Sequence, residues 1–591
     1  MTDIRRTLLW VVFTMSLVLL WDAWNKHTGA PSIFGGTPTR PVSASAPADT
    51  SKVNPAAATV PVATTGQAAT GPTSSAVPAS GLQAAGAAAP KSELITITTD
   101  VVRATIDTRG GDLVRLELLN HHDQVNQAND IVLLDRSPQR LYFARTGLAT
   151  VDGVPFPNHE TLMVAAAGER ELRAGVDAVE LRLDSPEISG VRLRKTYTFR
   201  RGDYRIGVKH ELTNGSDKAL APQLYLQLVR DGNPPAGESS FYFTFTGPAL
   251  YTEARKFEKI DFKDIEKLAV RNAQHSARGE SPESPSHSTS ANDGWIAMVQ
   301  HYFATAWLVA NGPRDFVTAK TADNQYAVAM MVKLGALAPG ATLSHDATLF
   351  VGPQEEKKLE ALAPGLELVK DYGAFTILAK PLFWLLDQLY NVLGNWGWSI
   401  VGLVVLLKIA FYWLNAAAYR SMAKMKAINP KVMEMRERLK DKPQQMQQEM
   451  MRMYREEKVN PLGGCLPIVV QIPFFIALYW VLLSSVEMRN APWLYIADLS
   501  QPDALFFVMP FLHLSVGPLP LLMLGSTLFQ TWLNPTPPDP VQAKMMWIMP
   551  LVFSAMFFVF PAGLVLYWLT NNILSITQQY LINKQLGVIG K

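Results

Sequence analysis

The stretch Trp396–Leu414, WGWSIVGLVVLLKIAFYWL, decides the architecture of this chain. It is apolar except for Lys408 and long enough, at about 1.5 Å per residue, to cross most of a bilayer core of about 30 Å. A charge at the middle of a membrane helix costs roughly 2.5–3.5 kcal/mol, so such residues usually face a bundle interior or a wet cavity. Snorkelling is the plain alternative, because Lys408 stands only about 9 Å along the helix from Leu414. The rest of the chain decides between them.

The chain has 591 residues, a formal charge of +3 and one cysteine. The length allows several domains. A mean hydropathy near zero hides a concentration of apolar residues towards the two ends. Cys465 alone excludes an intramolecular disulfide and a multi-cysteine metal site. It lies in Gly463-Gly464-Cys465-Leu466-Pro467 with no adjoining basic group, which reads as a packing residue rather than a nucleophile. No HExxH, GxSxG or phosphate-cradling GxxxxGK[ST] occurs. The expectation is therefore a protein that is not an enzyme, with no catalytic set, no metal, no cofactor and no sequence-specific nucleic acid.

Arg5-Arg6 followed by an apolar run from Leu8 to Trp21 has the shape of a signal anchor, expected over residues 1–24. Thr28-Gly29-Ala30 is a poor cleavage site, and Trp21 and Trp24 suit an interfacial belt. Residues 25–92 are mostly Ala, Pro, Ser, Thr and Gly, a composition that cannot offset its ordering entropy and predicts a disordered tether. Over residues 93–365 short alternating runs appear, such as Leu94-Ile95-Thr96-Ile97-Thr98, Val191–Tyr197 and Leu224–Leu228. Turn residues punctuate them at Arg109-Gly110-Gly111-Asp112, Arg201-Gly202-Asp203 and Asn214-Gly215-Ser216. This predicts a large antiparallel β-sandwich. Lys256 to Asp293 reads as a charged surface loop interrupting it.

Phe375, Leu378, Leu382, Leu386, Leu389 and Leu393 recur at helical spacing, with Lys380, Asp387 and Asn391 on another face. Residues 371–394 are thus expected to form an amphipathic helix lying in the membrane interface. Further spans are expected at 396–414, 467–483, 519–533, 545–560 and 563–582, the fourth and fifth divided by Pro561-Ala562-Gly563 and the third preceded by a short entry helix. With the anchor this gives six transmembrane helices. The basic loop 415–461 and Arg5-Arg6 should be cytoplasmic by the positive-inside rule. Both termini, including a tail at 584–591, then lie inside, the β domain lies outside, and Lys408 falls in the cytoplasmic half.

The loop has order of its own. Met425, Ile428, Val432, Met435 and Leu439 follow a coiled-coil seam, Asp441-Lys442-Pro443 breaks it, and Met446, Met450 and Met453 resume it. A basic helical hairpin is expected. Methionine suits adaptable contact with varied apolar partners, although pairing of the two helices accounts for the seam equally well. Its basic residues also suit anionic lipid.

Gly394-Asn395-Trp396-Gly397-Trp398-Ser399, Met422-Ala423-Lys424-Met425, Glu457–Cys465, Gln471-Ile472-Pro473 and Phe560–Tyr567 together resemble the YidC/Oxa/Alb family of membrane insertases. The likeness runs in one order over Gly394–Ile582, which would make 395–583 an insertase core of five helices. The anchor, tether and β domain, including Gly294–Phe303, resemble the Gram-negative branch of that family. The resemblance implies a β-supersandwich similar to galactose-mutarotase folds, without implying sugar chemistry. It implies a hydrophilic groove, open to cytoplasm and lipid, with one positive charge that draws in the polar segment of an inserting protein. Lys408 stands at that charge, where the family pattern has arginine. Val404 stands one turn earlier where threonine is frequent, Tyr567 matches, and Trp568 replaces a second tyrosine. The implied groove residues are thus Lys408, Val404, Tyr567 and Trp568, and the hairpin contacts Met425, Met435, Met446 and Met450. The implied setting is a bacterial inner membrane. The implied partners are newly made membrane proteins, the Sec translocon and its accessory subunits, the ribosome and signal-recognition-particle pathway, and membrane lipids.

Two other classes make distinct demands. A polytopic transporter or channel with a periplasmic binding domain requires several polar intramembrane groups at one depth, and the sequence pattern does not display them. A tethered carbohydrate enzyme requires His and carboxylate residues gathered in a cleft of the β domain. Neither explains the basic hairpin.

Overall fold

The computed structural model describes residues 91–123, 128–149, 154–235, 244–439, 442–457, 466–509, 514–534 and 540–585. The expected anchor, most of the tether, the Lys458–Cys465 motif and most of the C-terminal tail lie outside these residues. Two compact units divide the described chain between Val369 and Lys370.

The first unit contains two nine-stranded antiparallel sheets. In one, Gln223–Asp231 sits between Leu141–Ala149 and Gln325–Lys333. In the other, Arg205–Asn214 sits between Val191–Arg200 and Thr342–Pro353. Val191–Arg200 alternates buried and partly exposed residues, as a strand with one covered face should. Gln223–Asp231 is buried on both faces, despite its alternating sequence. The polar side is covered because it meets other polar side chains: the Tyr225 hydroxyl bonds to His159 Nδ1 at 2.7 Å, and Arg145 donates to Gln227.

That polar layer extends through the unit. Lys195 donates to the carbonyls of Gly110 and Thr146, Tyr197 donates to Gly111, and His210 Nε2 meets Thr146 Oγ1 at 2.9 Å. Lys195 and His210 are fully buried and Asp112 is nearly so. The scattered histidines of the sequence are therefore partly assembled, but in a buried, packed layer.

The supposed loop Lys256–Asp293 has regular structure. Lys256–Lys259 pairs on the edge of one sheet, Phe262–Ala277 is helix α1, and Ser290–Ala291 pairs on the edge of the other sheet. Charge masked the apolar spacing: Ile265 is buried, and the Phe262 ring lies 4.7 Å from that of Tyr326. A short helix α2, Glu356–Leu362, closes the unit.

In the second unit α3 is Thr376–Leu393, α4 Trp396–Ala410 and α5 Tyr412–Arg438. They are followed by α6 (Pro443–Glu456), α7 (Leu466–Ser484), α8 (Pro518–Leu533), α9 (Pro540–Met556) and α10 (Ala562–Gln585). The core gathers Leu382, Leu386, Leu403, Val404, Leu478 and Leu566, among others. α3 is amphipathic as expected and packs on α4 and α7, leaving Ile377, Trp384 and Val392 exposed. Gly394 ends α3 in the left-handed region at φ 65°, where glycine carries no Cβ penalty. Asn395 then caps α4 by accepting from the Trp398 amide at 3.1 Å. Gly397 lets Trp493 lie against α4; a Cβ there would stand 2.2 Å from the indole.

The expected span 396–414 is not one straight helix. It breaks at Phe411, and α4 and α5 meet at 69°. Among the described residues no single helix is long and apolar enough to cross a membrane; α4 and α5 together meet that requirement across the bend. The expected entry helix before α8 is also absent: Phe507–Met509 and Leu514–Val516 pair as antiparallel strands. A short apolar run rich in aromatic and β-branched residues has no period that separates helix from strand. Asp503 accepts from the Leu519 amide at 2.8 Å, so a carboxylate from this loop caps α8. Pro561-Ala562-Gly563 does turn the chain between α9 and α10, held by Ala562 N–H to Gln501 O (2.7 Å) and Gly563 N–H to Leu499 O (2.8 Å).

The polar layer of the sandwich predicts a pH signature. Burial pushes the Asp112 carboxyl up to about 7 and pulls Lys195 down to about 8 and His159 down to about 3. Folded Asp112 holds its proton more tightly than the unfolded chain does. Its contribution is therefore full below the unfolded value near 4 and is lost as pH rises through about 7. The buried histidines act oppositely, losing stability as pH falls below about 6.5. Asp112→Asn should raise the melting temperature of the β unit relative to wild type at about pH 8, with the gain shrinking towards pH 5. The histidines are common to both proteins and cancel. A difference independent of pH, in calorimetry of the full chain in detergent, would refute the assignment.

Candidate functional site

Lys408 is in the last turn of α4, two residues before its final residue Ala410 and the Phe411 break, and faces α10. Its ammonium donates to Ser575 Oγ at 2.6 Å. Ser575 donates in turn to the Asn571 carbonyl at 2.7 Å, and the Tyr419 hydroxyl shares Ser575 as well. Lys408 is thus partly buried and held by neutral oxygen. Among the described residues no carboxylate lies within 4 Å of it, and no group of His, Cys, Asp or Glu could hold a metal ion. An ammonium held by neutral acceptors has no adjacent anion to cancel its field, and a charge is felt further in a low-dielectric surrounding than in water.

The cleft at Lys408 is lined by Val404, Phe411, Gln471, Phe475, Tyr567 and Asn571 with others. Its free volume of about 30 Å³ leaves room for no more than a few water molecules. Phe475 meets Tyr567 edge-on at 5.6 Å and Phe411 meets Phe474 at 5.1 Å, so aromatic rings narrow the cleft from both sides. Val404 is buried one turn below Lys408 and adds only apolar surface. Tyr567 is buried in the wall. Trp568 is not brought into this cleft; adjacent on the helix, it projects about 100° away and packs on Phe557 and Phe560 at 4.9 and 5.6 Å.

Several further polar side chains join the helices here, of which only Gln471 belongs to a family motif quoted above. Gln471 donates to Asn415 at 3.0 Å, tying α7 to α5. Asn572 donates to Ser526 of α8 at 2.9 Å, and Gln578 to the Tyr412 carbonyl at 3.2 Å. Gln579 reaches Asn534 at 3.1 Å. These groups are engaged in hydrogen bonds between helices. One signal was available: Asn572, Ser575, Gln579 and Asn583 recur at three and four positions along the helix, and all four are buried.

In the hairpin, Ile428, Val432 and Met435 are buried, and Met425, Leu439, Met446, Met450 and Met453 pack around them. The methionine seam joins α5 to α6. Met433 and Met451 are the exposed methionines of the described hairpin. Lys431 pairs with Glu457 at 2.7 Å across its base.

An apolar helical unit with one ammonium in a narrow cleft, following a domain of two large β-sheets, defines the class. Residues 94–385 match the YidC periplasmic domain family and residues 388–588 the 60Kd inner membrane protein family. The chain is 53% identical over 597 aligned positions to the protein named membrane protein insertase YidC from Janthinobacterium sp. (strain Marseille), covering 99% of this chain and all of that one. It is 53% identical to the protein of the same name from Cupriavidus taiwanensis, over 99% and 98% of the two chains. A crystal structure titled as an active YidC insertase with its first transmembrane domain resolved aligns over 83% of this chain and 93% of that one, at 16% identity and a TM-score of 0.36. The chain belongs to the YidC family of inner-membrane proteins with a periplasmic β-sandwich domain.

The cross-helix bonds of α10 should carry measurable stability. Asn572→Ala removes the bond to Ser526 and should cost about 1 kcal/mol, within the range found for hydrogen bonds between membrane helices. Reversible unfolding in mixed micelles measures it. An unchanged midpoint would mean that the two helices hold by packing alone.

Proposed function

We propose that this protein is a membrane protein insertase and chaperone of the bacterial inner membrane, and that Lys408 supplies the attraction that draws a client's hydrophilic segment into the bundle. The observation that carries the reading is the ammonium of Lys408, held by Ser575 and facing no carboxylate among the described residues. An acidic or polar segment entering the cleft meets a charge whose field is not cancelled by an adjacent anion. The narrow cleft must widen to admit it, and the hydrogen bonds between helices supply donors and acceptors that exchange from one another to the client. Partition of the client's apolar helix into lipid then drives the step. The chain itself consumes no nucleotide.

The topology that goes with this reading has six spans, both termini in the cytoplasm and the β domain in the periplasm. α4 alone is about 22 Å long against a hydrocarbon core of about 30 Å. Its bend into α5 lets Phe411, Tyr412 and Trp413 complete the crossing at the cytoplasmic side, where aromatic residues favour the interface. The basic α5–α6 hairpin is the first contact for clients and for the ribosome and signal-recognition-particle pathway. Because its buried seam is already used, contact falls to the exposed Met433 and Met451 and the basic face unless the hairpin opens. The β domain docks on accessory subunits of the Sec translocon. The buried polar layer of that domain supports no sugar chemistry, since Asp112, His159 and His210 pack against protein.

Two measurements test this. In a strain depleted of its own insertase, Lys408→Arg should support insertion of clients with acidic tails near the wild-type level, while Lys408→Gln and Lys408→Glu should slow it by about tenfold, equivalent to 1.4 kcal/mol. Equal insertion by Gln, Glu and Lys would remove the charge from the mechanism. Deleting Met425–Met453 should leave the protein in the membrane but reduce crosslinking to stalled nascent chains; undiminished crosslinking would remove the hairpin from client capture.

A further inference from the structure

The segment between α7 and α8 carries two apolar projections, and one carboxylate ties them together. The first is the tight turn Trp493–Ile496, closed by Trp493 N–H to Ile496 O at 2.9 Å and Ile496 N–H to Trp493 O at 2.8 Å. At its tip Leu494 is 70% exposed and sits at φ 50°, a left-handed conformation that bulky side chains rarely adopt. The second is the strand pair Phe507–Met509 and Leu514–Val516, with Leu505 and Phe506 leading into it. Tyr495 donates to Asp503 Oδ2 at 2.8 Å, and the same carboxylate accepts from the amides of Leu505 at 3.3 Å and Leu519 at 2.8 Å. Asp503 is buried, and a Cβ on Gly517 would stand 2.2 Å from its carboxyl carbon. Both projections are thereby fixed to the first turn of α8. They are also held to neighbouring helices: Trp493 lies on Gly397 of α4, and Ser515 N–H donates to Phe558 O, just after α9, at 3.0 Å.

Leu505, Phe506, Phe507 and Val508 are consecutive, and each is half exposed or more. Successive side chains of an extended segment point to opposite sides. A protein docked on this segment would cover one side, whereas large apolar side chains bare on both sides call for an apolar medium around them. The apolar surface continues along α8, where Leu521 and Leu522 are exposed. The sheet itself sets the depth. Among the described residues it has two strands, so its outer edges present N–H and C=O groups that hydrocarbon cannot satisfy and the hydrated headgroup layer can. We infer that the Leu494 turn and the Leu505–Val508 strand are immersed in the interfacial layer of the periplasmic leaflet, as a rigid wedge among lipid headgroups and upper acyl chains. The inference rests on the topology proposed above, in which the start of α8 faces the periplasm. Tyr495 and the exposed Trp398, edge-on to Trp493 at 5.6 Å, suit that layer. Because Trp493 joins the wedge to the start of α4, the depth of the wedge sets that of Lys408, about 18 Å along α4 from Trp396.

Cys465 is the sole cysteine, so Cys465→Ser gives a background for single nitroxide labels. Leu494→Cys, Phe507→Cys and Val508→Cys place them on the wedge, Phe529→Cys on the exposed face of α8, and Val176→Cys on the surface of the β unit. The full chain is reconstituted in bilayers of phosphatidylethanolamine and phosphatidylglycerol. Relaxation by oxygen, which concentrates in lipid, is compared with relaxation by a water-soluble nickel chelate. The wedge labels should favour oxygen at a depth within about 10 Å of the headgroup boundary. The label at 529 should favour oxygen more strongly, and the label at 176 should favour nickel. Nickel access at 507 and 508 equal to that at 176 would overturn the inference, and so would protection from both reagents, which means cover by protein. Oxygen preference at 529 together with nickel preference at 507 overturns the wedge alone, whereas nickel preference at 529 overturns the membrane topology itself. Carbonate extraction and a thermal melt establish that each labelled variant is embedded and folded; should Phe507→Cys fail there, Leu494→Cys and Val508→Cys carry the test.

Discussion

A cation inside an apolar helix bundle has to find oxygen, and α10 supplies it. Lys408 reaches Ser575, and the same helix sends Asn572 to α8, Gln578 to the start of α5 and Gln579 to the end of α8. Where the surroundings are as apolar as the side chains, burial gives little preference for one helix arrangement over another, and hydrogen bonds with close packing select it. α10 is therefore the helix against which the positions of α4, α5 and α8 are set. The geometry of the cleft follows from that choice: Lys408 points at α10 because its acceptor is there.

The same need for satisfied polar groups shapes the β unit with a different result. Lys195, Tyr197, His210 and Thr146 form a network between sheets that is closed off by burial. Titratable residues gathered in a fold suggest chemistry only when a ligand can reach them. The Lys408 cleft has free volume, a charged group and apolar surroundings together. Fold likeness to sugar enzymes, expected from the sequence, therefore adds nothing to function here.

Much of the fold was legible because the signals are local. Alternation marked Val191–Tyr197, helical spacing marked α3, the proline–glycine break marked the turn before α10, and the seam marked the α5–α6 hairpin. The misses have equally local causes. The charge of Lys256–Asp293 concealed α1, since Ile265 and Phe262 are few among many polar residues. The apolar run before α8 had no period and proved to be a strand pair. Trp396–Leu414 looked continuous because no proline or glycine marks the break at Phe411. At the site, Lys408 was conspicuous as a lone charge, whereas Ser575 and Asn571 are small or neutral groups of a kind that decorates many helices.

The sequence by itself determined which residue is charged within an apolar segment, which segments are helical or extended, and, through its ordered motifs, the family. It determined these because hydrophobic period, charge and turn chemistry are properties of neighbours along the chain. Only the tertiary structure decided that the ammonium is met by Ser575 from a helix more than a hundred residues away, that Trp568 turns from the cleft while Tyr567 lines it, and that the methionine seam closes on itself. Each of these depends on the rotation of one helix about its axis relative to another, and that angle is fixed by packing and hydrogen bonds between segments, which no local pattern records.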